Sequence, residues 1–262
     1  MRLVAFLILG LLAFATNLGD YFLCDDFGLL RAVRHGGPFG VWTHGPGFFR
    51  PLVSLSLWLD LRLFGLRPLG FHLTNVLIHS LNAVLVAEIA DRLFVGVDTP
   101  SRKPAAHLAG ALFLLLVPHA EAVVWISGRA DLLATLFGLA AFRALLAAEQ
   151  HRRVRWLVVA ATLYGLALGA KEAALPWPAI VLAWSLFDVQ RTTLPIRWRA
   201  AGPLLFVAVF LAYLPLRRLL LGVFVGGYGG AVHLRLDPGL MLRNLLLFSG
   251  RTLTPPLHLE EL

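Results

Sequence analysis

Charged residues, cysteine and sequence repeats are all scarce in this chain of 262 residues. Only 15% of the residues are charged, against roughly 25% in a typical soluble domain, which excludes an ordinary soluble fold. Cys24 is the only cysteine, so an intramolecular disulfide is excluded. Cysteine usage therefore does not indicate whether the chain lies in an oxidising or a reducing compartment. A helical repeat of about 34 residues is also lacking, which argues against a helical repeat array.

Apolar residues dominate instead, at 58% of the sequence with a mean hydropathy of +0.77. Because about 20 apolar residues cross a bilayer, this length accommodates roughly seven or eight spans with their loops. The net charge of +8 comes from Lys and Arg residues that are spread between the apolar runs. This spread favours membrane orientation and contact with anionic lipids over a nucleic-acid partner. The sequence therefore predicts an all-α, multi-pass integral membrane protein forming a single domain over residues 1–262.

The apolar runs place the predicted spans along the chain. They cover residues 3–19, 71–94, 106–117, 131–148, 156–170, 173–187 and 203–216, followed by a shorter apolar run at 240–248. Residues 20–70 form a long first loop, in which residues 51–64 have helical apolar spacing and predict an interfacial helix or a short span. Residues 118–131 are too polar for lipid and too apolar for a free loop, which indicates a re-entrant or boundary segment. The first run has a signal peptide as its alternative interpretation.

Lys and Arg residues are concentrated in alternate loops. Residues 91–104, 149–155 and 188–200 hold three each, so these loops are predicted to face the cytoplasm. The first loop, residues 118–131 and the Lys171-Glu172 pair then lie on the opposite side, as does Arg217-Arg218. Because every polar cluster falls on that side, we expect a single site on the extracytoplasmic face. The Arg-, Ala- and Leu-rich composition favours a bacterial inner membrane.

Asp25 and Asp26 follow shortly after the first predicted span. Ionisable groups at a membrane boundary are candidates for function. Two neighbouring carboxylates either bind a divalent cation through their oxygens or supply a general base whose pKa is raised by its neighbour and by burial. A solvated loop pair is the alternative. We select both residues as candidate catalytic groups and leave open whether a divalent cation is the cofactor.

Four polar residues lie on one stripe of the second predicted span. They are His72, Asn75, His79 and Asn82, which follow one another at helical spacing. Such a stripe is predicted to face protein, either for interhelical hydrogen bonds or, for the two histidines, to contact a substrate.

Several cations and acids lie on the predicted extracytoplasmic side. The cations are Arg129, Lys171, Arg217 and Arg218, and the acids near them are Glu121, Asp131 and Glu172. Arginine suits bidentate recognition of phosphate or carboxylate. Ion pairs with these acids are predicted for some of the cations, and neutralisation of a bound phosphate for at least one.

Several motifs in this order resemble one family of membrane enzymes. They are Asp25-Asp26, Phe49-Arg50-Pro51-Leu52, Phe71-His72-Leu73-Thr74-Asn75 with His79, Trp125-Ile126-Ser127-Gly128-Arg129-Ala130-Asp131, and Lys171-Glu172. As a set over residues 20–172, they are similar to the membrane half of the transmembrane and tetratricopeptide-repeat O-mannosyltransferases and their bacterial relatives, which are GT-C glycosyltransferases. Beyond residue 187 the similarity is limited to Leu216-Arg217 and the region of Asp237-Pro238.

The resemblance implies a GT-C-like bundle with short interfacial helices in its long first extracytoplasmic loop. It implies transfer of a hexose such as mannose from a polyprenyl-phosphate donor to a protein or glycan acceptor, with inversion and no covalent intermediate. The family's proposed base, an acidic residue of the first loop, corresponds to Asp25 or Asp26. Candidates for binding the donor phosphate or substrate are Arg50, His72, His79, Arg129, Lys171 and Arg217. Candidates for supporting these groups are Asn75, Glu121, Asp131 and Glu172.

Two other functions fit the same residues. A transporter or lipid-binding protein would use the polar face to bind an anionic substrate, although transporters often have internal repeats and broken helices at the bilayer midplane. A non-catalytic remnant or assembly partner fits a chain without the family's repeats, and we expect the C-terminal part of the family architecture to be missing.

Overall fold

The computed structural model describes residues 2–43, 48–94, 99–187, 194–222 and 237–253, and these residues form helices joined by short turns, with no strand among them. The helices in this part of the chain are α1 (Arg2–Ala13), α2 (Asp25–Gly36), α3 (Gly40–Thr43), α4 (Pro51–Phe64), α5 (Pro68–Leu93), α6 (Thr99–Leu115), α7 (Ala120–Val124), α8 (Arg129–His151), α9 (Val154–Ala170), α10 (Trp177–Phe187), α11 (Ile196–Leu221) and α12 (Pro238–Leu253). The prediction of an all-α protein is confirmed.

Within the described residues, three helical stretches are long and apolar enough to cross a membrane. They are Pro68–Leu93, Ile126–His151 and Ile196–Leu221. The pair Pro100–Leu115 and Val117–Val124, bent by 53°, makes a fourth if it counts as one span. The stretches Arg2–Ala13, Val154–Ala170 and Glu172–Phe187 are apolar but shorter. The chain is an all-α membrane protein, and a total of seven or eight spans stays a prediction.

The predicted apolar runs all fall on helices, with changed ends. The first helix stops at Ala13 and continues only as a 3-10 turn over Ala15–Asn17, because Thr16, Asn17 and Gly19 are weak helix formers. The run predicted at 203–216 extends to Leu221 in α11, so Arg217 and its neighbour are helical residues. Most of the Gly-rich segment that follows, at 223–236, lies outside the described residues.

The described part of the first loop folds into the helices α2, α3 and α4. Pro51 begins α4, where its fixed φ suits the first helical turn and its missing N–H is not needed. Gly65 ends the helix at a φ of +62°, a conformation that glycine adopts without a steric penalty. The observed helix Pro51–Phe64 therefore confirms the helical pattern predicted for residues 51–64.

Helix α5 is the central helix of the N-terminal half and packs against α1, α6 and α8. Its stripe of His72, Asn75, His79 and Asn82 is buried, with no member more than 3% exposed. The prediction that this stripe faces protein is confirmed.

Two members of the stripe bind backbone carbonyls where neighbouring helices end. His79 Nε2 donates to the carbonyl oxygen of Leu114 at 3.0 Å, in the last turn of α6. Asn75 Nδ2 donates to the carbonyl oxygen of Val123 at 3.1 Å, near the end of α7. The last carbonyls of a helix have no partner within it, so these side chains stabilise the bend between α6 and α8.

Gly128 lets α7 pack closely against the start of α8. A Cβ at this position would lie 2.6 Å from the carbonyl oxygen and 2.7 Å from the Cα of Ala122. Because these are backbone atoms, Gly128→Ala must move α7 away from α8, and we expect a loss of about 1–3 kcal/mol in the free energy of unfolding. Thermal unfolding in detergent measures this loss.

Gly165→Ala is the matched control, because a Cβ on Gly165 meets nothing within 4 Å. It replaces glycine by a stronger helix former inside α9 and is expected to leave stability equal or slightly higher. Equal stability of the two variants would contradict the close packing at Gly128.

Candidate functional site

A cavity of about 640 Å³ lies among the first-loop helices α2, α3 and α4, the turn at residues 125–128 and the start of α8. Its charged lining residues are Asp25, Arg50, Asp131 and Lys171, and its aromatic ones are Phe48 and Trp125. These residues come from four separate stretches of the chain, at 25, 48–50, 125–131 and 171, which the fold brings to one place. The cavity therefore unites four of the residues selected from the sequence.

The two neighbouring aspartates of α2 have different environments. Asp26 is 2% exposed, and its Oδ2 accepts a hydrogen bond from the backbone N–H of Leu23 at 2.9 Å. Its Oδ1 accepts from the backbone N–H of Ser127 at 2.8 Å and also from the Ser127 hydroxyl. Both carboxylate oxygens of Asp26 thus bind the protein and tie α2 to the turn before α8.

Asp25 is exposed to the cavity instead. Among the described residues, its carboxylate has no hydrogen-bond or ion-pair partner. Its position in the first turn of α2 suits a negative charge, since the N-terminus of a helix carries a partial positive charge. Of the two aspartates, only Asp25 is accessible to a molecule in the cavity.

The other acid of the cavity is already paired. Lys171 Nζ lies 2.6 Å from Asp131 Oδ2, across the gap between the end of α9 and the first turn of α8. Both side chains remain partly exposed, at 27% for Lys171 and 41% for Asp131. The pair can therefore rearrange when an anion enters, because a partly exposed ion pair is only weakly stable.

Glu172 holds two arginines beside the cavity. Its Oε2 accepts from Arg50 Nη2 at 3.0 Å, and its Oε1 accepts from Arg217 Nη1 at 2.7 Å. Arg217 also donates to the Tyr213 hydroxyl at 3.2 Å. The guanidinium of Arg50 lies 4.2 Å from the ring centroid of Phe48. This arrangement fixes the position of Arg50 at the cavity wall.

The Nε of Arg50 is buried and has no hydrogen-bond partner among the described residues. A buried donor without a partner costs roughly 1–3 kcal/mol, more when the group is charged. Arg50 therefore keeps one N–H donor without a partner at the cavity wall, and Glu172 carries only one negative charge against two arginines.

The pKa of Glu172 gives a test of this cluster. Burial alone would raise that pKa, but the hydrogen bond from Arg217 and the charge of Arg50 outweigh it, and the pKa lies below its ordinary value of 4.5. A lowered folded-state pKa contributes stability above the unfolded-state pKa, and this stability is lost as the pH falls through the folded-state value. We expect the melting-temperature difference between wild type and Glu172→Gln to stay constant from pH 7 to about 5 and to shrink below pH 4.5.

Thermal unfolding across this pH range measures the difference. Glu121→Gln is the control, because Glu121 is exposed and has no ion pair among the described residues. A difference that persists unchanged below pH 4 would mean that the Glu172 carboxylate does not stabilise the cluster.

Arg129 is fully buried and lies away from the cavity lining. Its Nη1 lies 2.5 Å from Asp60 Oδ2, and its Nε donates to Asn75 Oδ1 at 2.8 Å. Its Nη2 donates to the carbonyl oxygen of Phe71 at 2.8 Å. These contacts join α4, α5 and α8 into one unit. We therefore assign Arg129 a structural role in place of phosphate binding.

The two histidines are also absent from the cavity lining. His72 Nε2 donates to the carbonyl oxygen of Asp20 at 3.1 Å. The ring of His79 packs among Phe14, Phe113 and His119. The fold thus brings Asp25, Arg50, Asp131 and Lys171 together and leaves both histidines in the interior.

Three contributing residues were not selected from the sequence. Asp60 interrupts an otherwise apolar helical pattern, and a carboxylate on a buried face requires a cation, which is Arg129. Ser127 and Tyr213 were missed because a hydroxyl next to a charged motif carries no distinctive pattern. Among the described residues, no group of three His, Cys, Asp or Glu side chains could hold a metal ion.

The chain is similar to known proteins over much of its length. The family described as dolichyl-phosphate-mannose-protein mannosyltransferase matches residues 44–215. Asp25 and Asp26 precede that match. No solved structure matches the chain.

Three relatives illustrate the similarity. Protein O-mannosyl-transferase TMTC3 of Homo sapiens is 31% identical over 160 residues, which cover 60% of this chain and 17% of the relative. Protein O-mannosyl-transferase Tmtc2 of Drosophila melanogaster is 37% identical over 155 residues, which cover 55% of this chain and 15% of the relative. Protein O-mannosyl-transferase TMTC4 of Mus musculus is 28% identical over 193 residues, which cover 62% of this chain and 26% of the relative.

The chain thus spans about a quarter or less of the length of these relatives. The family match covers more than half of the chain and includes the cavity-lining residues from Phe48 to Lys171, whereas the lining residues of α2 and α3 precede it. This chain belongs to the dolichyl-phosphate-mannose-protein mannosyltransferase family.

Proposed function

We propose that this protein is a membrane glycosyltransferase that transfers a hexose from a polyprenyl-phosphate donor to a hydroxyl of a protein or glycan acceptor. The observation that supports it most directly is Asp25, a carboxylate open to the cavity and without a protein partner among the described residues. Family membership and the names of the O-mannosyl-transferase relatives support the reaction class.

The donor phosphate belongs, in this proposal, beside Arg50 and Lys171. Both cations line the cavity with Asp25, and the Nε of Arg50 has no partner among the described residues. Arg217 acts through Glu172 as a positioning residue, because its side chain is only 4% exposed and contacts Glu172 directly. Asp131 holds Lys171 in place until an anion competes for it.

The transfer step requires a base and a stabilised leaving group. The Asp25 carboxylate accepts the proton of the acceptor hydroxyl while the hydroxyl oxygen forms a bond to the anomeric carbon. The bond between that carbon and the phosphate oxygen breaks, and the polyprenyl phosphate leaves with the electron pair. Arg50 and Lys171 offset the negative charge that develops on the leaving phosphate. A single displacement of this kind inverts the anomeric centre.

The proposed location follows from the loop charges. The first-loop helices that carry Asp25 are placed on the extracytoplasmic face, opposite the loops rich in Lys and Arg. A bacterial inner membrane is the proposed compartment.

Transfer of radiolabelled sugar from a panel of polyprenyl-phosphate sugars tests the proposal in membranes containing the full chain. We expect at least one donor to give more labelled acceptor in these membranes than in membranes without the protein. Binding of polyprenyl phosphate without transfer from any donor would contradict the enzymatic function and favour a non-catalytic lipid-binding protein.

A further inference from the structure

A second concave surface lies on the first-loop helices, away from the lining of the Asp25 cavity. It consists of two adjacent cavities of about 410 and 370 Å³ that share Arg34 and Leu66. The first also contains Arg62 and Trp58, and the second contains Arg31. We call this surface the first-loop groove.

The groove carries positive charge without compensation. In the described part of the chain, no acidic residue lines either cavity. Arg31, Arg34 and Arg62 are exposed, and none of them has a carboxylate within ion-pair distance among the described residues. The guanidinium of Arg62 lies 5.2 Å from the ring centroid of Trp58, and none of its N–H donors has a hydrogen-bond partner among the described residues. Three guanidinium groups are therefore available to an anion.

Exposed apolar side chains border these arginines. Tyr21 is 71% exposed, Phe27 is 54% exposed and Leu66 is 53% exposed, and all three line the groove. The end of α4 beside it exposes Leu63 at 73%. Aromatic rings, arginines and exposed leucines occur together where a protein meets the boundary between lipid headgroups and acyl chains.

We propose that the first-loop groove binds an anionic phospholipid, with the headgroup phosphate between Arg31, Arg34 and Arg62. Guanidinium groups bind phosphate oxygens through paired N–H donors. The acyl chains would cover the exposed Tyr21, Phe27 and leucine side chains. A soluble acidic peptide would satisfy the arginines but leave this apolar border in water, so the lipid is the partner that fits both features.

Native mass spectrometry of the purified full chain tests the proposal. The chain is exposed to equal amounts of phosphatidylglycerol and phosphatidylcholine with identical acyl chains, and the ratio of bound lipids is measured. The triple variant Arg31→Gln, Arg34→Gln and Arg62→Gln is expected to lower the preference for phosphatidylglycerol at least tenfold, since each arginine near a lipid surface contributes a factor of about five.

The matched control removes three other exposed arginines, with Arg153→Gln, Arg155→Gln and Arg197→Gln. Because it changes the net charge equally, it separates a specific groove from general attraction, and it is expected to lose clearly less of the preference for phosphatidylglycerol than the triple variant does. Arg34→Gln alone, at the residue shared by both cavities, is expected to lower the preference about fivefold and serves if the triple variant does not fold.

Several outcomes would overturn the proposal. The first is a wild-type chain that shows no preference for phosphatidylglycerol. The second is a folded triple variant that keeps the full preference, or an Arg34→Gln variant that keeps it where the triple variant does not fold. The third is a control variant that loses as much preference as the triple variant. Arginine-dependent binding of a polyglutamate peptide together with unchanged lipid preference would identify a peptide site instead. None of these measurements depends on sugar transfer, so this proposal and the proposed enzymatic function succeed or fail separately.

Discussion

Asp25→Asn is expected to lower the rate of sugar transfer about 10²–10⁴-fold, the contribution of a positioned general base, with little change in thermal stability. The side chain points into the cavity and has no partner among the described residues, so its replacement removes no contact that stabilises the fold. Asparagine has nearly the same shape but cannot accept the proton of the acceptor hydroxyl. The measurement is the initial rate of transfer in membranes with equal amounts of protein.

Asp26→Asn is expected to act differently, although the two residues are adjacent in sequence. Its carboxylate accepts hydrogen bonds from the backbone N–H groups of Leu23 and Ser127. In asparagine, the amide NH₂ group would face one of these N–H donors and could not accept its hydrogen bond. A hydrogen bond to a charged group contributes roughly 1.5–3 kcal/mol, so this variant should lose stability. Any loss of transfer should therefore accompany a lower melting temperature.

Asp20→Asn provides the control for both variants. Asp20 is an exposed carboxylate of the same loop, and it binds Asn17 Nδ2 at 2.9 Å outside the cavity lining. Transfer by this variant should match wild type. Full transfer by Asp25→Asn would show that Asp25 is not the base, whereas stable Asp26→Asn protein without transfer would assign that role to Asp26.

Arg129→Met is expected to cost about 3–5 kcal/mol in the free energy of unfolding, because it leaves Asp60 buried without its cation. Asp60 is 4% exposed, and burial already raises the pKa of its carboxyl despite the neighbouring guanidinium. Methionine fills part of the arginine volume, so the loss reports the removed charge and hydrogen bonds more than a cavity. Thermal or denaturant unfolding in detergent measures it.

A double-mutant cycle isolates the pair. In the Arg129→Met, Asp60→Asn variant no unpaired charge remains, so the double variant should lose clearly less stability than the sum of the two single variants. Additive losses would contradict a coupled buried pair.

Arg143→Gln is the matched control on the same helix. Arg143 Nε lies 3.2 Å from Glu88 Oε2, so this pair also joins α8 to α5, but both side chains are 38% exposed. An exposed pair contributes only about 0–1 kcal/mol. A loss as large as that of Arg129→Met would show that burial does not determine the effect.

The sequence by itself determined the helices and the class of the protein. Apolar runs long enough for helices, separated by Gly, Pro and charged residues, predicted all-α structure because helical periodicity depends only on local spacing. The stripe from His72 to Asn82 was likewise predictable, since residues three and four apart share one face of a helix. The predicted helix at residues 51–64 was observed with the same ends.

The order of the motifs along the chain also indicates the family. Residues 44–215 match that family, which confirms the resemblance. The donor, the acceptor and the residue that acts as base remain proposals, and the transfer assays with wild type and the aspartate variants address each of them.

Only the tertiary structure decided which charged residues share the cavity. Asp25 and Asp26 are equivalent in sequence, but successive helical residues point about 100° apart, and the packing of α2 on the turn at Ser127 buries one and exposes the other. Arg129 belongs to a motif next to the cavity, yet its partner Asp60 lies on a different helix and draws it into the interior. Such pairings depend on contacts between residues far apart in the chain, and local patterns in the sequence do not encode them.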